Sequence, residues 1–330
     1  MSFTPTNYEE MSQRLNEVKQ EIGQYIVGQQ EAVDFTLYSV LADGHALLEG
    51  LPGLGKTMLI RTISEVLDLS FSRIQFTPDL MPSDITGTSI IERSEDGKQT
   101  FSFKQGPIFS QLVLADEINR ATPKTQSALL EAMGEKTVTV LGDTKQMAKP
   151  FFVLATQNPI EMEGTYPLPE AQMDRFLCKI VIPYPSKEEL KEIVIRTTGA
   201  KNIQLQKVMN AEELMIAQHM VREVLIADDM LAYAIDLTSA THPNEEATDE
   251  VKQYVQYGSG PRGLQSLIRL AKARALVAGR YHVSIADIKS VAIPALRHRM
   301  LLNYEGEAEG KSADSILSDL LQSIKQGQTS

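Results

Sequence analysis

Gly50-Leu51-Pro52-Gly53-Leu54-Gly55-Lys56-Thr57 is a complete G-x-x-x-x-G-K-[ST] run, and its flanks decide how it folds. Ala46-Leu47-Leu48-Glu49 before it is short and mostly apolar, as a buried strand is, and Met58-Leu59-Ile60-Arg61-Thr62-Ile63 after it has helix-compatible apolar spacing. A glycine-rich turn between strand and helix lets backbone N–H groups approach phosphate oxygens, and the helix N-terminus adds a favourable dipole. The stretch reads as a nucleoside triphosphate loop. Gly50, Pro52, Gly53, Leu54, Gly55 and Met58 form its wall, Lys56 reaches the β- and γ-phosphates, and the Thr57 hydroxyl ligates Mg²⁺.

Outward from the loop, a helix pattern over 8–23 and another over Glu31–Leu41 precede it. Phe71 to Phe76 follows as a second strand, giving a βαβ rhythm. Thr86 to Lys104 alternates around Glu95-Asp96-Gly97 as a hairpin does, and Thr137 to Lys149 predicts a second hairpin after a helix over Lys124–Gly134. Gln111 to Glu117, Phe151 to Thr156 and Leu177 to Ile182 are further apolar strands, with a short helix ending at Arg175. After Pro183 and Pro185 the pattern becomes helical: Lys187–Thr197, Ala211–Leu225, Asp228–Ala240, Pro261–Ala278 and Ser284–Val291, with Ser186/Glu189 a capping box and Asn210 and Ser284 N-caps. Residues 305–312 read as mobile, followed by a short helix at Ile316–Ile324 and a disordered tail at 325–330.

The 330 residues suit two domains with an appendage. No apolar run is long enough for a bilayer and the first residues lack a secretory pattern, so a cytoplasmic location is expected. A net charge of -11 argues against broad nucleic-acid affinity. The single cysteine, Cys178, lies in an apolar strand and can make neither an internal disulfide nor a cysteine-based zinc site. The five histidines share no metal-ligand spacing.

Asp116-Glu117 ends an apolar strand and complements the phosphate loop: Asp116 would hold Mg²⁺ through water and Glu117 would polarise the attacking water. Asn158, at the end of a neighbouring strand, could hold that water in line, or simply form the turn before Pro159. Arg175 fits either a dipole-favoured helix end or a cation for developing phosphoryl charge. Arg262 begins a helix, where the dipole disfavours a cation, so a phosphate partner explains it better. Arg120 could meet an adjacent subunit or pair with Glu131, and Arg297 to Leu301 is a small basic patch, either a solvated helix end or a partner contact.

These residues, with Val27-Gly28-Gln29, Gln75 to Gly87, Ala115 to Ala121, Ala155 to Pro159 and Leu168 to Phe176, resemble the AAA+ ATPases and specifically the MoxR family, over nearly the whole chain. The resemblance implies an α/β fold, a P-loop AAA+ core of parallel sheet flanked by helices, with a C-terminal all-helical lid. The domains would be 1–184 with an N-terminal helix and two hairpin inserts, 185–304 as lid, and 305–330 as a flexible segment with a short helix. It implies ATP and Mg²⁺ as cofactors, Lys56 and Thr57 as Walker A, Asp116 and Glu117 as Walker B, Asn158 as sensor 1, Arg175 as arginine finger to the neighbouring subunit, and Arg262 as sensor 2 in the same chain as the loop. It further implies an ATP-hydrolysing homo-oligomer, a hexameric ring acting as a chaperone-like factor on a von Willebrand factor A domain protein or other client, in maturation or metal insertion. Rival readings are a nucleic-acid-translocating ATPase, a magnesium-chelatase-type subunit, and a non-hydrolysing nucleotide switch; the balanced charges of the first hairpin count against the first of these. Gly134 departs from the family pattern, which has an acidic residue before Glu135, and is expected to affect only a helix end.

Overall fold

Apolar residues alternating along five short strands build the centre of the molecule. The computed structural model describes residues 3–93, 99–140, 142–159, 164–198 and 204–324. Helices α1 (Pro5–Tyr25) and α2 (Gln30–Leu41) lead to β1 (Ala46–Glu49), then α3 (Lys56–Val66), β2 (Phe71–Gln75), α4 (Pro82–Thr86) and an antiparallel hairpin of β3 (Gly87–Arg93) and β4 (Gln99–Gln105). Strand β5 (Leu112–Asp116) and α5 (Pro123–Glu135) precede a second hairpin, β6 (Thr137–Val140) with β7 (Asp143–Gln146); β8 (Phe152–Gln157), α6 (Glu170–Met173) and β9 (Cys178–Val181) complete the sheet. Both expected hairpins are present, although the Glu95-Asp96-Gly97 turn lies outside the described residues.

The sheet order is β2-β5-β8-β1-β9, with all neighbours parallel. Because side chains alternate across a strand, Ala46 and Leu48 of β1 enter one core and Leu47 enters the other. One core lies against α5; the other runs from α1, α2 and α3 into the C-terminal helices. Cys178 is fully buried in β9 beside Ser39, and burial pushes its thiol up to about 11, as suits a packing residue.

Helices α7 (Lys187–Thr198), α8 (Ala211–Glu223), α9 (Asp228–Ser239), α10 (Asp249–Tyr254), α11 (Pro261–Val277) and α12 (Ile285–Leu296) follow, with strand β10 (Val255–Tyr257) between α10 and α11. The Ser186–Glu189 cap closes in both directions, at 2.7 and 3.2 Å, Asn210 caps as expected, and at the Ser284 N-cap position Asp287 reaches back to accept from the Ser284 N–H at 2.8 Å. Helix α12 outruns its expected end at Val291, with Pro294 in its last turns. Helix α1 packs on this half as well as on α2 and α3: Ser12 Oγ donates to the Val277 carbonyl at 2.7 Å.

One expectation is overturned. Residues 304–308 form α13 (Tyr304–Ala308), not a mobile stretch, and α14 (Ala313–Ser323) begins earlier than predicted. Asn303 caps α13 by accepting from Gly306 N at 2.9 Å, and Asn303 follows β11 (Leu301–Leu302), which pairs with β10. The tail at 325–330 lies outside the described residues.

Candidate nucleotide site

The loop leaves β1 at Glu49 and enters α3 at Lys56, with Gly53 and Gly55 at φ +80° and +78°, where a side chain would be strained. A Cβ on Gly53 would meet nothing within 4 Å, so the loop presents an open backbone cradle. Lys56 Nζ donates to the Gly50 carbonyl at 2.6 Å; burial pulls its pKa down, while Asp116, Glu117 and Glu49 pull it back up. Thr57, at the first turn of α3, is half-buried. Gln29 braces the loop by donating from Nε2 to the Leu54 carbonyl at 2.6 Å, and its buried Oε1 has no partner. Gly28, just before it, has φ +72°, where a side chain would be strained, and a Cβ there would lie 2.4 Å from the Glu189 carboxyl. An open cradle of backbone N–H groups and a lysine suit a triphosphate nucleotide.

Asp116 closes β5 beside β8, and its neighbour Glu117 turns into the left-handed region at φ 58°. Thr156 of β8, fully buried, joins the two: it donates to Asp116 Oδ1 at 2.6 Å and accepts from the Glu117 N–H at 2.8 Å. Asp116 Oδ2 also accepts from Arg73 Nη2 at 2.7 Å. Glu117 Oε2 accepts from Gln75 Nε2 at 2.8 Å and from Arg120 Nη1 at 2.9 Å, so Arg120 is tied to the acid itself. With Asp116 gripped on both oxygens, Mg²⁺ held through water fits better than direct ligation; among the described residues no cluster of three or more His, Cys, Asp or Glu could hold a metal alone. Asn158 is buried just past the end of β8, whose Gln157 carbonyl accepts from Gly50 N at 3.4 Å, so it sits against the loop. The structure thus gathers Lys56, Asp116, Glu117 and Asn158 at the C-terminal rim of the sheet.

The arginines lie on the other rim. Arg175 precedes β9, and its Nη1 donates to the Leu130 carbonyl of α5 at 2.9 Å. Arg262 Nη1 donates to Asp174 Oδ2 at 3.3 Å, which places it beside Arg175. In this arrangement Arg262 lies away from the loop of its own chain, which was expected to share a site with it: β1 alone, 4 residues at about 3.3 Å each, separates the rims by roughly 13 Å. Two smaller expectations change with it. Gly134 does more than end a helix, because a Cβ there would lie 2.3 Å from Arg175 Nη1. The basic patch at 297–301 is not solvated, since the Arg299 side chain is only 4% exposed.

Residues 45–178 match the profile of the ATPase family associated with various cellular activities (AAA), and residues 247–320 match the AAA lid domain. The chain is 42% identical to Chaperone MoxR1 of Mycobacterium tuberculosis, over 92% of this chain and 80% of that one. It belongs to the MoxR family of AAA+ ATPases. It is also 42% identical to the uncharacterized protein YeaC of Bacillus subtilis, over 96% of each chain. A solved structure from Cytophaga hutchinsonii, named as a candidate ATPase, superimposes with a TM-score of 0.90 at 42% identity, covering 97% of each chain.

Within this MoxR-family frame, sequence reasoning missed Gln29, Arg73, Gln75 and Thr156 as parts of the site. Thr156 could have been found, because a hydroxyl in an otherwise apolar strand must have a partner. Arg73 and Gln75 left no such signal: they act on Asp116 and Glu117 through the pairing of β2 with β5.

Proposed function

We propose that the chain hydrolyses ATP at sites shared between copies of itself in a ring, with Lys56, Thr57, Asp116, Glu117 and Asn158 from one copy and Arg175 and Arg262 from the next. The observation that carries this reading is the placement of loop and arginines on opposite rims of one parallel sheet, which suits head-to-tail contact that closes by rotation. Glu117 accepts a proton-bearing contact from the attacking water, Asn158 holds that water, and Lys56 and the neighbour's two guanidinium groups meet the charge that spreads over the transferring phosphoryl oxygens. Thr57 and Asp116 would hold Mg²⁺, which supplies charge neutralisation at the phosphates. The name Chaperone MoxR1 of a relative supports a client protein as the recipient of the motion between sheet and C-terminal helices. A von Willebrand factor A domain protein, and maturation or metal insertion in the cytoplasm, are the client and pathway of this proposal.

Mixing two inactive variants tests it. Lys56→Ala should lose ATP binding, and Arg175→Ala should bind ATP but turn over roughly 10³-fold more slowly. Mixed under assembling conditions, intact loops of the second should meet intact arginines of the first, and turnover should return in part. Failure of co-assembled variants to regain turnover would remove the shared site, and a wild-type chain without ATP turnover would remove the enzyme.

A further inference from the structure

Arg299 lies just beyond α12 with its side chain 4% exposed, and all five of its guanidinium N–H groups are spent. Nε donates to Asp174 Oδ1 at 2.7 Å. Nη2 donates to the carbonyls of Asp174 at 3.1 Å and Phe176 at 2.7 Å, and Nη1 to those of Leu177 at 3.3 Å and Ala295 at 2.5 Å. Four of the five contacts fall on residues 174, 176 and 177, so the bracket closes on both sides of Arg175. His298 adds its Nε2 to the same Phe176 carbonyl at 3.1 Å. Asp174 then divides its carboxylate, Oδ1 to Arg299 and Oδ2 to Arg262.

A guanidinium with no N–H left cannot bind phosphate, and a structural bridge between two cores would not need to select the residues around one exposed arginine. We propose that Arg299 is a positioning residue for the Arg175–Arg262 pair: it locks the segment bearing Arg175 to the end of α12 and, through Asp174, holds Arg262 beside it. The two arginines therefore move as a unit with the C-terminal helices. The proposal rests on the shared-site reading given above.

Arg299→Lys keeps the charge but offers three donors from a single point and cannot form the fork. In the full chain its turnover should fall at least tenfold, while the affinity for a fluorescent ATP analogue, set by its own loop, stays within twofold of wild type. Mixing it with Lys56→Ala protein should restore turnover, because the Lys56→Ala copies present intact arginines. Asp174→Asn, which leaves every backbone contact of Arg299 in place, should show the same split and the same rescue. The Arg175→Ala and Lys56→Ala mixture runs alongside. If that control recovers and the Arg299→Lys mixture does not, the positioning role is wrong while the shared site stands; if neither recovers, the shared site itself is wrong. Loss of nucleotide affinity or of the melting transition together with turnover would make Arg299 a support of the fold, and turnover within twofold of wild type would make it dispensable; either result overturns the proposal.

Discussion

A hydroxyl inside an apolar strand must find partners, and Thr156 finds two that matter, the Asp116 carboxylate and the backbone N–H of Glu117. Thr156→Val keeps the β-branch and removes both bonds, leaving a buried donor and acceptor short. Stability should fall by about 1–3 kcal/mol in urea unfolding, and turnover at least tenfold as Glu117 loses its hold. Unchanged turnover would mean that Glu117 is positioned by Gln75 and Arg120 alone. At this scale the sequence was most readable where spacing is fixed along the chain, as in Lys56-Thr57 and Asp116-Glu117. It was least readable where a partner comes from another strand: Gln75 stands opposite Asp116 only once β2 and β5 are in register.

Among the elements, α5 shows how one missing methyl affects a distant group. Gly134 lets Arg175 lie across the last turn of α5 and donate to Leu130. Gly134→Ala should gain about 0.5–1 kcal/mol of helix stability and push the arginine off that carbonyl. With its rest position weakened, Arg175 should reach a neighbour more readily, raising turnover several-fold without loss in melting temperature; a fall in turnover would show that the Leu130 contact aligns the arginine. The strands and long helices were legible because their apolar periods are strong. Strands β10 and β11 were not, since each is two or three residues whose partner lies more than forty positions away. Residues 304–308 misled because glycine and glutamate suggest mobility, whereas Gly306 is the residue that fits against Tyr254, and Lys311 anchors the segment to Glu250 at 2.7 Å.

For the whole molecule, acid sensitivity begins at His45, which ties the starts of β1 and β8 to α5. Its Nδ1 accepts from Val153 N at 3.0 Å, so Nε2 carries the hydrogen toward the Met133 carbonyl at 3.1 Å, and burial holds its pKa down to about 4. A second proton would face an N–H. Since the unfolded value is about 6.5, this contribution is complete above about pH 6.5 and lost as pH falls toward 4, roughly 3 kcal/mol in all. Partly buried His298 shifts in the same direction, chiefly through desolvation. Melting temperature should therefore drop between pH 6.5 and 4.5, and His45→Gln, whose amide can both accept and donate, should flatten that drop; an unaltered slope would assign the sensitivity elsewhere. The parallel strands carry one more consequence. Because every strand of the sheet points the same way, the molecule has unlike ends, and a twofold dimer joined glycine turn to glycine turn would leave two sets of guanidinium groups looking out into solvent. Such a pair would be chemically mute.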